Sequence, residues 1–152
     1  MTDPAPTAFP AFVPGDETDQ QGTAGLDSKT KLKAVWTQVE HWDDGKPYLK
    51  EYEGRGLLQD KKVLITGGDS GIGRSVAILM AREGADITFV YLPEEEEDAA
   101  WTVEQIEAAG RKAQKLALNI REEANCKKAV DEHVRAFGRV DVLVNNSACS
   151  IM

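Results

Sequence analysis

Residues 62–74 read Lys-Val-Leu-Ile-Thr-Gly-Gly-Asp-Ser-Gly-Ile-Gly-Arg, and this stretch decides the fold. Its first five residues form a short, apolar, β-branched run, as expected of a strand that is buried on both faces. A glycine-rich turn follows, and a helical pattern begins at Ile72. Such a turn lets backbone N–H groups approach a pyrophosphate, while the helix N-terminus adds a partial positive charge. The stretch therefore predicts a phosphate-binding turn, and the alternative is a turn that is glycine-rich for structural reasons only.

The rest of the chain from residue 61 onward alternates between strands and helices. The patterns predict helices over about 72–83, 93–109 and 122–137, and strands over 62–66, 87–91, 114–120 and 140–144. This alternation is typical of βαβ units that build a parallel sheet with right-handed crossovers. We predict an α/β fold, a Rossmann-type doubly wound sheet of strand order 3-2-1-4. It is incomplete, with about four strands and three helices, and carries a largely irregular N-terminal extension.

Composition excludes several classes of protein. The chain has 152 residues, enough for one domain, and a net charge of −8 from 18 Lys and Arg against 26 Asp and Glu. That charge argues against binding to nucleic acid or to an anionic membrane, and no apolar run reaches the roughly 18 residues that cross a bilayer. The two cysteines, Cys126 and Cys149, form neither a disulfide framework nor a metal motif. We expect reduced thiols, no metal site and a cytoplasmic location.

The N-terminal third divides into two zones. Residues 1–28 are rich in Pro and Asp and show no periodicity, so we predict a disordered tail. Its Phe9, Phe12 and Val13 are apolar exceptions, and they could dock on their own chain or on a neighbour. Residues 29–60 form an aromatic-rich extension that we predict to be partly helical, with a short helix over about Lys31–Glu40 that is broken at residues 45–47.

The aromatic residues of this extension allow two interpretations. Trp36, Trp42, Tyr48 and Tyr52 are interleaved with charged residues. Aromatic and lysine residues together can form a stacking surface for single-stranded nucleic acid. Because the zone is net negative, packing against a folded core or a partner subunit is the favoured interpretation.

Two motifs resemble those of the short-chain dehydrogenases/reductases. Thr66-Gly67-x-x-x-Gly71-x-Gly73 resembles the cofactor loop of that family, and Asn145-Asn146-Ser147-Ala148 resembles its Asn-Asn-Ala-Gly signature. Residues 52–57 and 67–74 resemble a subgroup of glucose/ribitol-type dehydrogenases or aldehyde reductases that carries an N-terminal extension. The resemblance covers about residues 48–149, the N-terminal cofactor-binding half of such enzymes. It implies that residues 61–152 are a truncated, NAD(P)-binding Rossmann half-domain.

The resemblance also implies a set of cofactor-binding residues. The residues that would line the cofactor phosphates are Gly67, Ser70, Gly71, Ile72 and Gly73. Asn119, at the end of the third strand, would contact the adenine, although without the resemblance it is better explained as a turn residue.

Asn145 would tie the fourth strand to its neighbours, as the corresponding residue does in the family. Asn146, Ser147 and Ala148 would border the cofactor ribose, and the last two replace the family's Ala and Gly.

The choice between NAD and NADP depends on the end of the second strand. There the resemblance implies Asp in NAD-selective members, and Arg or Lys nearby in NADP-selective ones. This chain has Tyr91, which we include among the cofactor-binding residues, and Asp69-Ser70 in the glycine loop. The acidic run 94–98 suits the dipole of a helix N-terminus, but it would also oppose a 2′-phosphate. We therefore expect NAD or NADP, with a preference for NAD.

The family's catalytic Ser and its Tyr-x-x-x-Lys have no counterpart in this chain. Tyr48, Tyr52 and Tyr91 are followed four residues later by Tyr52, Gly56 and Glu95, and none of these is Lys. We therefore assign no catalytic residue and expect the chain to be inactive alone.

Two hypotheses about function follow. The chain is the cofactor-binding portion of an NAD(P)-dependent oxidoreductase for small alcohols, sugars or aldehydes, which binds substrate and forms a homo-oligomer only at full length. Alternatively, it is a non-catalytic fragment that binds nucleotide or associates with other subunits.

Overall fold

A hairpin, a parallel sheet and three α-helices make up the described part of the chain. The computed structural model describes residues 7–9 and 35–148. The strands are β1 Gln38–Asp43, β2 Lys46–Glu51, β3 Lys62–Thr66, β4 Asp86–Tyr91, β5 Ala113–Ala117 and β6 Val142–Asn145. The helices are α1 Gly71–Arg82, α2 Glu96–Ala108 and α3 Glu123–Phe137, and a 3₁₀ turn, Pro93–Glu95, precedes α2. None of these helices is long and apolar enough to cross a membrane.

The larger sheet has four parallel strands in the order β5-β4-β3-β6. This order confirms the predicted doubly wound sheet. Thr66, at the end of β3, is aligned with Val90 on one side and with Asn145 on the other. The carboxyl ends of three strands therefore lie together at one edge of the sheet.

Helices cover both faces of this sheet, as the alternating pattern predicts. On one face, Val63, Ile65, Ile87 and Phe89 pack in a single cluster with Ile106 of α2. On the other face, a smaller cluster joins β3 and β4 to Ala129 of α3. All six residues of β4 are buried, because this strand is central and covered on both sides.

The helix predicted over about Lys31–Glu40 is wrong for residues 35–40, the part of it that the structure describes. β1 and β2 form an antiparallel hairpin instead. Asp44 and Gly45 connect them with φ values of 46° and 72°. An Asp-Gly pair tolerates this left-handed geometry, which matches the twist of a two-residue hairpin turn. The glycine that suggested a helix break is therefore the turn of the hairpin.

The hairpin and the segment after it are bound to α1. The Ser75 hydroxyl donates to the backbone oxygen of Trp36 at 2.9 Å, and Arg82 donates to Glu51 at 2.8 Å. The Glu83 carboxylate accepts from the backbone N–H of Leu57 at 2.8 Å. The described part of the aromatic extension is thus hydrogen-bonded to α1 of its own chain, while Trp42 and Tyr48 are 53% and 45% exposed.

A short N-terminal segment contacts the hairpin. The hydroxyl of Thr7 and the backbone N–H of Ala8 donate to Glu40 at 2.6 and 2.7 Å. Phe9 therefore lies beside its own chain, while Phe12, Val13 and the remainder of the predicted disordered tail lie outside the described residues.

α3 packs on the sheet through one alanine and one histidine. Ala129 and His133 are its buried residues, whereas Val130 and Val134 are more than 40% exposed. The His133 ring reaches Thr88 of β4, with 2.7 Å between Nδ1 and Oγ1. Val130 and Val134 are therefore not the residues through which α3 contacts the sheet.

Candidate functional site

The candidate site lies where the direction of strand addition reverses. The chain runs from β3 outward to β4 and β5, and then returns to the other side of β3 as β6. In open α/β sheets, ligands bind beyond the carboxyl ends of the strands at such a switch point. The glycine turn after β3 and the segment after β6 are both at this point.

The glycines of the turn have distinct roles. Gly67 has a φ of 67°, and its N–H donates to the oxygen of Val90 at 2.8 Å. A Cβ atom on Gly73 would lie 1.8 Å from the oxygen of Gly67, so this position must be glycine for the turn to close onto α1. A Cβ atom on Gly71, where φ is 53°, would meet no atom of residues 7–9 and 35–148 within 4 Å. Gly71 therefore borders open space at the mouth of the turn.

α1 begins at this open space. Ser70 is its N-cap residue, in an extended conformation, and the Ser70 side chain makes no capping hydrogen bond. Ile72, in the first turn of α1, is 78% exposed. A 12-residue helix therefore directs the positive end of its dipole to the open side of the turn, an arrangement that suits a phosphate group.

The segment after β6 is bonded to the glycine turn. The Thr66 hydroxyl accepts from the backbone N–H groups of Asn146 and Ser147, both at 3.1 Å. The Asn146 side chain donates to the oxygen of Gly67 at 2.8 Å. Asn145, the residue predicted to tie the strands, is the last residue of β6 and pairs with Thr66 in the sheet. The side-chain link between the two segments comes from Asn146, the next residue of the same motif.

Asn119 and Ala148 lie farther out. β5 ends at Ala117, earlier than predicted, so Asn119 falls in the turn after the strand, where its side chain accepts from the N–H of Arg121 at 3.1 Å. The N–H of Leu118 donates to the oxygen of Tyr91 at 3.0 Å, which places this turn beside the end of β4. Ala148 is exposed and follows the bonded segment. Asn119 thus has the local hydrogen bonds of a turn residue and lies at the edge of the sheet that carries the site.

Tyr91 is only 5% exposed, and its hydroxyl donates to Glu96. Burial, together with the bond to Glu96, raises the pKa of Tyr91 to about 12. Lys115 pairs with the same carboxylate and lies 5.9 Å from the centre of the tyrosine ring. The hydroxyl of Tyr91 is therefore hydrogen-bonded to a side chain of its own chain.

Arg74 is a residue of the site that the sequence pattern did not reveal. It is 4% exposed, and its guanidinium lies 5.3 Å from the ring centre of Trp36 and 4.9 Å from that of Trp101. It donates to the Asp98 carboxylate at 2.6 Å and to the backbone oxygen of Asp69 at 2.7 Å. Arg74 therefore joins the glycine turn, α2 and the N-terminal extension. No local signal identifies it, because Asp98, Trp36 and Trp101 lie 24 or more residues away from Arg74 along the chain and only Asp69 is near it in sequence.

The parallel sheet, its switch point and the glycine turn at the N-terminus of α1 define a Rossmann-type α/β domain. Residues 61–152 match the family described as short chain dehydrogenase. The chain belongs to this family, as the two motifs indicated.

Individual relatives of known sequence or structure agree with this family assignment. The "Glucose and ribitol dehydrogenase" of Daucus carota is 43% identical in an alignment of 116 residues that covers 72% of this chain and 40% of the relative. A short chain dehydrogenase from Burkholderia cenocepacia J2315, solved in complex with NADP, is 40% identical with a TM-score of 0.58. It is matched over 60% of this chain and 37% of its own chain.

A short chain dehydrogenase from Mycobacterium paratuberculosis, solved with NAD bound, is 35% identical with a TM-score of 0.56, over 60% of this chain and 38% of its own. The chain spans about a third of the length of curated relatives that it matches, 31–34% for three of them. The similarity therefore concerns the nucleotide-binding end of a longer family pattern.

Proposed function

We propose that this chain is the cofactor-binding portion of an NAD(P)-dependent oxidoreductase that acts on small alcohols, sugars or aldehydes. The observation that carries the proposal is the glycine turn, which is closed at Gly73 and open at Gly71 where α1 begins. A dinucleotide binds where backbone N–H groups can come close to its pyrophosphate and where a helix N-terminus at the switch point supplies a partial positive charge. The solved relatives from Burkholderia and Mycobacterium, with NADP and NAD, support the same class of cofactor.

The proposed contacts follow from the positions of the residues. The turn from Gly67 to Gly73 would hold the pyrophosphate, with Ser70 and Ile72 at its exposed rim. Asn119 would lie on the adenine side, because its turn follows β5. Asn146, Ser147 and Ala148 would border the ribose that carries the nicotinamide, beyond β6, while Asn145 would tie β6 to its neighbours. When bound, the nicotinamide ring accepts or donates a hydride.

The acidic residues around the turn support NAD rather than NADP. Asp69 lies in the glycine loop, and Glu94, Glu95 and Glu96 follow β4. Carboxylates at the end of the second strand of a Rossmann sheet meet the adenosine ribose, where they oppose a 2′-phosphate. One of the two solved relatives holds NADP and the other NAD, so the proposed preference for NAD is based on these acidic residues alone.

Catalysis would require groups that this chain does not contain. Its sequence has no Tyr-x-x-x-Lys, so neither the proton donor nor its lysine partner is available here. We propose that the longer protein supplies them, together with the substrate pocket, and that it acts as a homo-oligomer in the cytoplasm. The coverage of only about a third of the relatives' length supports this division.

A fluorescence titration with NADH tests the binding function. We expect saturable binding by the unmodified chain and at least tenfold weaker binding by Gly71→Val, because the side chain would occupy the space that the pyrophosphate needs. The matched control is Gly110→Val. Gly110 also has a positive φ, 74°, and open space around its Cβ position, but it lies at the opposite end of β5 from the site.

Gly110→Val should therefore suffer a similar backbone strain and keep its affinity. An unmodified chain that shows no saturable binding, or a Gly71→Val variant that binds as well as the Gly110→Val control, would refute the proposal.

A further inference from the structure

The backbone oxygen of Asp69, in the middle of the glycine turn, is held inside the protein. It accepts from Nε of Arg74 at 2.7 Å and from the hydroxyl of Thr102 at 3.1 Å. All three residues are buried, and Thr102 is 0% exposed. These two bonds fix the orientation of the peptide group that carries the oxygen, because turning it would break both of them in a site that water does not reach.

The same peptide group carries a hydrogen-bond donor on its opposite side. The peptide between Asp69 and Ser70 is trans and planar, so its N–H, which belongs to Ser70, is directed away from the two groups that bind its oxygen. Within the described part of the chain, no backbone oxygen accepts from this N–H, whereas the N–H groups of Gly67 and Gly68 both donate to the oxygen of Val90. Of these three N–H groups of the turn, the one on Ser70 is thus available to a ligand.

α2 and the N-terminal extension confine the guanidinium of Arg74. Asp98 of α2 pairs with it at 2.6 Å. The ring centres of Trp36 and Trp101 lie 5.3 and 4.9 Å from the guanidinium carbon. Trp36 belongs to the extension, and its backbone oxygen accepts from the hydroxyl of Ser75 on α1 at 2.9 Å. Because a guanidinium stacks on aromatic faces, the two rings restrict the directions in which the Nε–H of Arg74 points.

We propose that Arg74 and Thr102 are positioning residues of the nucleotide site, and that Trp36 makes the N-terminal extension a part of this site. The two residues hold the carbonyl of Asp69 inward, so that the N–H of Ser70 is presented to the pyrophosphate beside the N-terminus of α1. Both act through the backbone, and neither side chain needs to touch the cofactor. A donor that is already oriented before the cofactor arrives costs less to order on binding. The inference rests on the proposed binding of a dinucleotide at the glycine turn.

An NADH titration of a double variant with unchanged net charge tests the role of Arg74. Arg74→Met with Asp98→Asn removes the Nε donor and leaves no unpaired charge at position 98. We expect binding to weaken about tenfold, the loss that corresponds to one hydrogen bond to a charged group. The matched control is Lys62→Met with Asp86→Asn, the same substitutions in an ion pair of 2.5 Å at the amino ends of β3 and β4. The control should bind NADH as tightly as the unmodified chain.

Uncharged substitutions test Thr102 and Trp36. Thr102→Val removes the second donor to the Asp69 oxygen and should weaken NADH binding about threefold, whereas Thr102→Ser keeps the hydroxyl and should restore the affinity. Trp36→Leu removes one ring from the guanidinium and should also weaken binding. Its control, Trp42→Leu, changes a 53% exposed tryptophan of the hairpin and should leave the affinity unchanged. Circular dichroism under the assay conditions checks that each variant is folded.

Amide hydrogen exchange, followed by NMR, gives a second readout on the unmodified chain. Saturating ADP-ribose, which carries the pyrophosphate without the nicotinamide, should slow the exchange of the Ser70 N–H, because a phosphate oxygen then accepts from it.

Three results would contradict the inference while dinucleotide binding itself stands. The first is exchange at Ser70 that bound ADP-ribose does not slow. The second is an Arg74→Met and Asp98→Asn variant that binds NADH as tightly as the Lys62→Met and Asp86→Asn control. The third, equal affinities of Trp36→Leu and Trp42→Leu, would exclude the extension from the site. If the unmodified chain binds no NADH, the proposed function fails, and the inference fails with it.

Discussion

Replacing Arg74 by Met tests how much the buried contacts of this guanidinium contribute to the free energy of unfolding. Arg74→Met keeps most of the aliphatic length but leaves Asp98, whose side chain is 8% exposed, without its charged partner at 2.6 Å. Breaking one side of a buried ion pair costs about 3–5 kcal/mol. The same change removes the guanidinium from Trp36 and Trp101 and deprives the oxygen of Asp69 of a donor.

A loss of this size is a large part of the roughly 5–15 kcal/mol that stabilises an ordinary domain. Urea denaturation, followed by tryptophan fluorescence and by circular dichroism, measures the free energy of unfolding of each variant. The matched control is Lys127→Met on α3. Lys127 pairs with Asp131 in an exposed pair, 78% and 52% accessible, so we expect a loss of about 0–0.5 kcal/mol.

A second variant identifies the cause of the loss. Adding Asp98→Asn to Arg74→Met removes the unpaired charge, so the double variant should recover roughly 1–3 kcal/mol relative to the single one. The reasoning is refuted if Arg74→Met is no less stable than Lys127→Met, or if the second substitution makes the loss larger.

Three further outcomes are expected. Purified chain should show no change in nicotinamide absorbance with alcohols, sugars or aldehydes, since it lacks a Tyr-x-x-x-Lys; reproducible turnover that is lost in Gly71→Val would contradict this. β6 is an edge strand whose Leu143 is 52% exposed, so the chain should self-associate through it. Leu143→Lys should shift the chain toward monomer in sedimentation velocity, and an unmodified chain that is monomeric at every concentration would disprove this. Burial lowers the pKa of His133 below its ordinary 6.5, so the unfolded chain binds the extra proton first and stability declines as the pH falls below 6.5. In His133→Gln, the free energy of unfolding should therefore depend less on pH between 7.5 and 5.5. An equal decrease in the unmodified chain and in the variant would count against this explanation.

The parallel sheet was predictable because its signals are local. A buried strand such as β3 needs a continuous apolar run, and the turn after it needs glycine where φ is positive or where backbones approach closely. Gly67 and Gly73 meet these two needs within seven residues. Strand order then follows from the right-handed crossovers, which leave few arrangements for alternating strands and helices.

The hairpin shows where local signals mislead. Gly45 locally indicates a helix break, whereas Asp44 and Gly45 form the turn between β1 and β2. A glycine is compatible with both, and the contacts of the hairpin with Ser75 and Arg82 of α1 lie 31 or more residues away along the chain. Tertiary packing thus selects the strand over the helix.

The sequence by itself determined the class of fold, the position of the phosphate turn and the absence of a Tyr-x-x-x-Lys, because each depends on residue types at short spacing. Only the tertiary structure decided that Arg74 lies between Trp36 and Trp101 and that the His133 ring reaches Thr88. These pairs lie 26 or more residues apart along the chain. Burial and charge act through space, so the groups acquire a partner or a shifted pKa only when folding brings distant elements together.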